Sequence, residues 1–442
     1  MMALYATLAV TLALLYVLLK RKRHGILNPD GLFVMFQLLM CLGTFYLVDP
    51  SDDVERKYAG IILLAYGSYT ITSIFVGIAA GTRPAQRRER GNIELSQPRV
   101  SLLAWLTVSI VVSVAYYYFV GYNTFLIGLT AFFSDDPESV DIATLRLESY
   151  AGSRYLFPGY VNQFKNILLP CLSVIVVHWC FANRKVYRYF AAGVLGLITA
   201  LLVLGTGQRG AFVVASLIIA TYIALATRIR LVSAIIGFLG LFFPFLLLST
   251  LTNQRSSEGS DGSASTLGGA GDQLVSRIFL DNQSSGITGF IFTNGLPVQY
   301  GKEWALSLYG LLPGVDGSPL SSQIFEVVYG STRGTSPPSL VGSIHYNFGT
   351  LGVILVPCLI AVLFCALAQF MGSRGDMTSV GMMGVAGVSV ICGSWIAGGP
   401  DYLLNSGLIP CVVMVLVGSN KAIKNQFESL CSRKFPVTMG SR

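Results

Sequence analysis

The chain has 442 residues, of which 53% are hydrophobic and only 12% are charged, and its mean hydropathy is +0.64. Soluble domains carry about 25% charged residues, so this composition excludes a soluble globular protein and predicts a polytopic membrane protein. The net charge of +8 is then interpreted as a marker of membrane topology rather than of nucleic-acid binding.

Apolar runs near the roughly 20 residues that span a bilayer recur along the whole chain. They predict an all-α fold in which residues 1–251 hold helices 1–8 and residues 339–442 hold helices 9–11 and a cytoplasmic tail. The eleven predicted spans are 2–19, 31–48, 59–80, 100–120, 159–182, 190–206, 211–227, 231–251, 339–370, 378–397 and 403–419.

A first large loop, 121–158, leads into the predicted helix 159–182. Arg154 and Lys165 flank the start of that helix, and Tyr160 lies between them. Polar residues at the end of a membrane helix either lie at the interface or line a cavity, and the sequence leaves both readings open. Under the second reading these three residues are candidates for binding substrate.

The apolar block 190–227 contains Gly205-Thr206-Gly207-Gln208-Arg209-Gly210. Three glycines and a charge within such a block favour a tight hairpin between two helices. The guanidinium of Arg209, free backbone N–H groups and the start of the next helix would together form an anion site. The alternative is an arginine that snorkels to the lipid headgroups.

Residues 252–338 form the one long polar stretch of the chain. Its Gly/Ser-rich first part, 256–271, is predicted to be flexible, whereas 273–292 and 302–312 have helix-like spacing. Arg277 and Asp281 are four residues apart and would share one helix face. We expect a partly helical loop that covers a site at the membrane surface, the alternative being a disordered connector.

The distribution of basic residues predicts the orientation of the spans. On the eleven-span map, 20 of the 30 Lys and Arg residues fall on one side of the membrane. The positive-inside rule makes that side cytoplasmic. The N-terminus and both large loops are then expected outside, and the C-terminus inside.

Candidate catalytic residues lie on the predicted outer side. His345, where the long loop leads into the span 339–370, is the only histidine there. It is either a general base or a structural hydrogen-bonding residue. The carboxylates that would serve instead are Asp281, Glu303, Asp316 and Glu326. Arg277 and Arg333 are either substrate-binding or solvated, and no motif in the chain has metal-ligand spacing.

Two motifs resemble those of bacterial O-antigen polymerases of the Wzy type. Gly205-Thr206-Gly207-Gln208-Arg209-Gly210 is similar to the Thr-Gly-x-Arg-Gly turn between two helices of that family. Pro338-Ser339-Leu340-Val341-Gly342, followed by Asn347-Phe348-Gly349, is similar to its Pro-rich, Asn-Phe-Gly start of a late helix. One departure is Ser343, since many relatives carry a glutamate after the preceding glycine.

The resemblance implies a GT-C-like membrane glycosyltransferase of the bacterial inner membrane, working in lipopolysaccharide biosynthesis. Such an enzyme transfers a growing glycan from undecaprenyl pyrophosphate to a lipid-linked repeat unit on the periplasmic face. The implied chemistry requires neither a metal nor a cofactor, and the implied partner is a Wzz-type chain-length regulator. Arg209, Arg154, Arg277, Arg333, Lys165 and Tyr160 would bind the pyrophosphate or sugars, and His345, Arg209, Asp281 or Glu326 would act in catalysis.

Two other functions fit much of the sequence. An O-antigen ligase uses the same donor with a lipid A–core acceptor. A lipid-linked oligosaccharide flippase would not be an enzyme. It would be expected to show an internal pseudo-repeat and charges buried in the middle of the bilayer, and the sequence indicates little of either.

Overall fold

The computed structural model describes residues 1–24, 26–79, 100–133, 145, 148, 158–182, 185–207, 209–226, 233, 280, 282–312, 314–330, 334–373 and 377–419. These residues are mostly helical and contain no β-strand. Among them are seven helices long and apolar enough to cross a membrane. The prediction of an all-α, membrane-embedded protein is confirmed to that extent.

The described helices follow one another along the chain as α1 (Met2–His24), α2 (Pro29–Leu47), α3 (Asp53–Ala79), α4 (Val100–Val120), α5 (Thr124–Phe133), α6 (Pro158–Asn162), a π-helical turn (Gln163–Leu168), α7 (Leu169–Ala182), α8 (Val186–Leu204), α9 (Arg209–Ala226), α10 (Asn282–Asn294), α11 (Lys302–Tyr309), α12 (Leu320–Tyr329), α13 (Leu340–Ser373), α14 (Ser379–Gly393), α15 (Pro400–Asn405) and α16 (Leu408–Ser419).

Most predicted spans coincide with these helices. The seven of spanning length correspond to the predicted spans 2–19, 31–48, 59–80, 100–120, 159–182, 190–206 and 339–370, while α9, α14 and α16 are shorter apolar helices. The span 231–251, apart from residue 233, and the Gly/Ser-rich stretch 256–271 lie outside the described residues. In the second part of the long loop, α10, α11 and α12 match the expectation of a partly helical segment.

Helix boundaries differ from the prediction around residue 400. The helix α14 ends at Gly393, and α16 begins only at Leu408. Between them, Pro400 starts the separate short helix α15, because proline is favoured in the first turn of a helix and cannot continue one. Gly407 has a φ of +94°, which a helix interior does not allow. The predicted spans 378–397 and 403–419 are therefore shorter as helices.

The helix α14 lies at the centre of the bundle. Every residue from Gly381 to Gly393 is buried. A Cβ atom at Gly381 would lie only 3.0 Å from the backbone of Gly418 on α16, and Gly384 and Gly387 face the same helix. Small residues at such spacing let membrane helices approach closely, so this glycine face fixes how α14 and α16 pack.

A buried ion pair joins the first three helices. Lys20 Nζ lies 2.7 Å from the Asp30 carboxylate, and both side chains are almost fully buried. The carboxylate also accepts hydrogen bonds of 2.6–3.0 Å from three hydroxyl groups, those of Tyr16, Tyr69 and Ser73. Lys20 Nζ is 3.2 Å from Cys365 Sγ, which brings in α13. The pair is thus satisfied on both sides and holds four helices together.

The ion pair marks one end of the bundle, which we call the lysine end. The opposite end, where α10–α12 and the start of α13 lie, we call the loop end. There Lys57 Nζ donates to Asn294 Oδ1 at 2.7 Å, and the hydroxyl groups of Tyr58 and Ser339 are 2.9 Å apart. The same helix α3 therefore contacts the Lys20 cluster with one end and the long loop with the other.

Replacing Asp30 with alanine should lower the free energy of unfolding by about 3–5 kcal/mol, because Lys20 would be left as an uncompensated buried charge. The matched control is Asp53→Ala, which removes the partner of Arg56 in an exposed pair and should cost under about 1 kcal/mol. Thermal unfolding of the detergent-solubilised variants measures both. Equal losses would contradict a stabilising role for the buried pair.

Candidate functional site

Lys165 is a buried cation on the π-helical turn between α6 and α7. Its side chain is 0% exposed, and its Nζ has no hydrogen-bond partner within the described parts of the chain. The ammonium lies over two rings, 4.6 Å from the centroid of Tyr116 and 5.5 Å from that of Tyr117. π-helical turns are rare and are frequent at functional sites. A buried charge without an anionic partner disfavours folding, so stability alone does not explain this lysine.

The predicted hairpin is present beside this lysine. The helix α8 ends at Leu204 and α9 begins at Arg209. Between them Gly207 has a φ of +70°, a conformation that glycine adopts without strain. The carbonyl of Gly205 accepts a hydrogen bond of 2.7 Å from the N–H of Thr124, which ties the turn to the start of α5.

Tyr117 connects Lys165 to this turn. Its hydroxyl donates to the carbonyl of Leu202 at 2.6 Å, and any side chain at Gly205 would collide with its ring. The same ring lies under the Lys165 ammonium. The buried cation and the turn that leads to Arg209 are therefore separated by one aromatic ring.

Three further buried polar atoms in this neighbourhood have no hydrogen-bond partner among the residues that the structure describes. They are the Oγ1 atoms of Thr124 and Thr206 and the Oδ1 atom of Asn166. Buried polar groups are nearly always paired, so a cluster of unpaired ones marks a place where polar contacts can still form. An ammonium and two hydroxyl groups are donors that suit an oxygen-rich anion.

A pair of carboxylates lies nearby at the loop end. Glu303 on α11 accepts hydrogen bonds from Asn347 at 2.8 Å and from Ser307 at 2.9 Å. Asp401 on α15 interacts electrostatically with Glu303. Gly399 lies against Asp401, and a Cβ atom there would be 3.0 Å from its Oδ1. Three separate helices thus meet around two acidic groups.

The environment of Asp401 changes its acidity. Burial, and after it the negative charge of Glu303, raises the pKa of the Asp401 carboxyl above its usual range, although two backbone N–H groups of α15 act in the opposite direction. A carboxyl with a raised pKa binds a proton more readily. Asp401 can therefore accept a proton from a neighbouring hydroxyl more easily than an ordinary aspartate.

Hydrogen bonds tie the π-helical turn to the region of the carboxylates. Gln163 Nε2 donates to the carbonyl of Leu404 on α15 at 3.4 Å. Tyr160, which is 50% exposed, donates its hydroxyl to the carbonyl of Leu311 at 3.0 Å. The helix that holds Lys165 is therefore attached to α15 and to the segment after α11.

His345 lies on a different face of α13. Its ring is half-buried and its centroid is 5.1 Å from that of Phe290 on α10. Asn347, two residues later, points instead to Glu303 on α11, because residues two apart lie about 200° apart around a helix. The described contacts place His345 with α10, and not with Lys165 or the two carboxylates.

The other predicted site residues are not brought into this cluster by the described contacts. Glu326 is exposed on α12. The remaining ones lie outside the described residues: Arg154, Arg277, Asp281, Arg333 and the side chain of Arg209. Their roles in binding or catalysis stay predictions.

Sequence reasoning missed Asp401 and did not separate Glu303 from the other loop carboxylates. Asp401 follows Gly398-Gly399-Pro400, a series of residues that ends one helix and starts another. An acidic residue in such a new first turn is the signal that could have found it. Within the described parts of the chain, no three His, Cys, Asp or Glu side chains are grouped as metal ligands would be.

The helix α13 has a break that holds this region in place. Gly349 has φ 63° and ψ −164°, a backbone conformation essentially restricted to glycine. A continuous helix would use the carbonyl of Tyr346 within α13; here that carbonyl accepts a hydrogen bond of 3.0 Å from the N–H of Gln299. The break thus lets the segment before α11 pack beside Asn347.

Comparison of the chain with family models, with curated proteins and with solved structures found no match.

Replacing Asp401 with asparagine should stabilise the protein at neutral pH, because it removes a partly buried charge close to Glu303 while an acceptor for the backbone N–H groups is kept. A carboxyl whose pKa is higher in the folded than in the unfolded protein lowers the free energy of unfolding as the pH rises through the folded-state pKa. This destabilisation is absent below the unfolded-state pKa. The rise in Tm should therefore be present at pH 7 and lost in acid. Asp316→Asn, an exposed carboxylate, is the control; an equal rise there would contradict the interpretation.

Replacing Gly349 with alanine should cost about 1–3 kcal/mol, because the new Cβ atom forces a conformation that L-residues avoid. Gly372→Ala, in the same helix and in open space, should be neutral or slightly stabilising. Thermal unfolding measures the difference. A loss in both variants would mean that α13 tolerates no added methyl group, whatever the backbone conformation.

Proposed function

We propose that this protein is a membrane glycosyltransferase that polymerises lipid-linked oligosaccharides. It transfers a growing glycan from undecaprenyl pyrophosphate to a lipid-linked repeat unit, at the periplasmic face of a bacterial inner membrane. The observation that carries this proposal is Lys165, a fully buried amine that has no anionic partner among the residues the structure describes and lies one aromatic ring away from the turn that leads to Arg209.

The leaving group of this reaction suits that place. A pyrophosphate departs with its negative charge, so its departure is favoured by fixed positive charge in a water-poor site. Lys165 supplies one such charge, and at the turn that Tyr117 contacts, the hydroxyl groups of Thr124 and Thr206 have no partner among the described residues. The start of α9 at Arg209 adds N–H groups that favour an anion. A bound pyrophosphate would offset the cost of burying the ammonium.

The acceptor hydroxyl must lose a proton as the glycosidic bond forms. In the proposed reaction its oxygen attacks the anomeric carbon, the bond from that carbon to the pyrophosphate oxygen breaks, and the proton passes to a carboxylate. Asp401 is the preferred base, since its burial and the charge of Glu303 raise the pKa of its carboxyl and α15 is attached to the π-helical turn. His345 is the alternative base.

Replacing Lys165 with methionine should abolish polymerisation and leave stability unchanged or raised, because it removes a buried charge that no described residue neutralises. The assay is the lipopolysaccharide gel profile of a deletion strain that expresses each variant at equal membrane levels. The wild type should restore long chains, whereas Lys165→Met and Arg209→Ala should give only single repeat units on the core.

The matched control is Lys185→Met, which removes an exposed lysine at the start of α8 and should restore long chains. Full-length chains in Lys165→Met would contradict the proposed pyrophosphate site. Loss of all transfer to the core in the deletion strain, including single units, would indicate a ligase instead. If Asp401→Asn loses as much activity as Lys165→Met while His345→Ala loses none, Asp401 is assigned as the base.

A further inference from the structure

The segment between α10 and α12 exposes apolar side chains to an unusual degree. Six large ones between residues 296 and 315 are 40–88% exposed, namely Leu296, Tyr300, Leu308, Tyr309, Leu312 and Val315. Proteins rarely leave so much apolar surface in water unless something covers it. We therefore expect this surface to be covered by a binding partner.

The position of this segment along the membrane-spanning helix α13 is set by its contacts with that helix. The N–H of Gln299 donates to Tyr346, and the indole N–H of Trp304 donates to Ser343 Oγ at 2.8 Å. The rings of Trp304 and Phe348 are 5.1 Å apart. The segment therefore packs beside residues 343–348, within a helix whose length and composition suit a membrane span.

The surface of α13 just beyond this contact is apolar and exposed. Leu351, Leu355 and Leu359 are 73%, 60% and 68% exposed, and their spacing of four places them on one helix face. In a membrane-spanning helix such a face meets lipid. The exposed side chains of the segment thus adjoin a surface that already faces the bilayer.

The charges of the segment fit a lipid headgroup layer. Glu303, the one acidic residue from 296 to 312, turns its carboxylate to Asn347 and Ser307. The exposed charge is a cation, Lys302, which can reach phosphate groups. Tyr300 and Tyr309 are of the residue type that is enriched where membrane meets water.

We propose that residues 296–312 lie in the lipid headgroup layer at the loop end, with Tyr300, Tyr309 and Leu312 inserted below the level of the phosphates. The partner of this surface is the lipid leaflet, and not water or a second copy of the chain. The arrangement depends only on α13 as a membrane span and is independent of the proposed reaction.

Spin labels test the proposal in proteoliposomes. Six of the eight cysteines are buried, so Cys358→Ala and Cys431→Ala give a suitable background. Labels at Tyr300→Cys and Tyr309→Cys are compared with Leu355→Cys, on the lipid-facing stripe, and with Asp316→Cys, an exposed polar position. Collision with oxygen, which concentrates in lipid, and with a water-soluble nickel complex is measured at each position.

We expect an oxygen-to-nickel collision ratio at positions 300 and 309 several-fold above that at 316 and approaching that at 355. A ratio equal to that at 316 would place the segment in water and overturn the proposal. Low collision with both reagents, together with spin–spin broadening, would indicate a second copy of the chain and overturn it as well.

Discussion

A buried charge lowers the stability of a protein unless another charge and hydrogen bonds match it, and the two lysines that are buried among the described residues differ in this respect. Lys20 is matched by Asp30, whose carboxylate also accepts hydrogen bonds from three hydroxyl groups, and its contact with Cys365 extends the group from α1, α2 and α3 to α13. Among the described residues, Lys165 is contacted by the faces of two tyrosine rings and by no anion. Lys20 and Asp30 at the lysine end are thus paired, while the described residues at the loop end leave Lys165 without a counter-charge.

The packing of the bundle determines what surrounds that cation. Because α14 presents glycines to α16, these two helices pack closely at the centre. The breaks that follow α14 then bring Asp401 against Glu303, and the break at Gly349 brings the segment before α11 against α13. Glycine and proline positions therefore decide where the polar groups of the loop end meet.

Much of the helical framework follows from the sequence, because apolar runs of spanning length and the glycine-rich turn at 205–210 are local signals. The short helix α15 was missed, since its start depends on Pro400 inside a run that otherwise reads as apolar. For Lys165 the sequence left two readings open. Only the packing of α4 against the π-helical turn shows that its ammonium is buried, and the pairing of Lys20 with Asp30 likewise depends on contacts between helices.

The direction in which the Lys165 side chain points also depends on the number of residues in the π-helical turn. Such a turn corresponds to one residue more than a regular α-helix would hold, and each residue of a helix rotates the next by about 100°. A relative with one residue fewer between Gln163 and Leu168 could keep every side chain and still aim its lysine away from Tyr116. The direction of the Lys165 side chain therefore depends on the number of residues in this turn as well as on their identity.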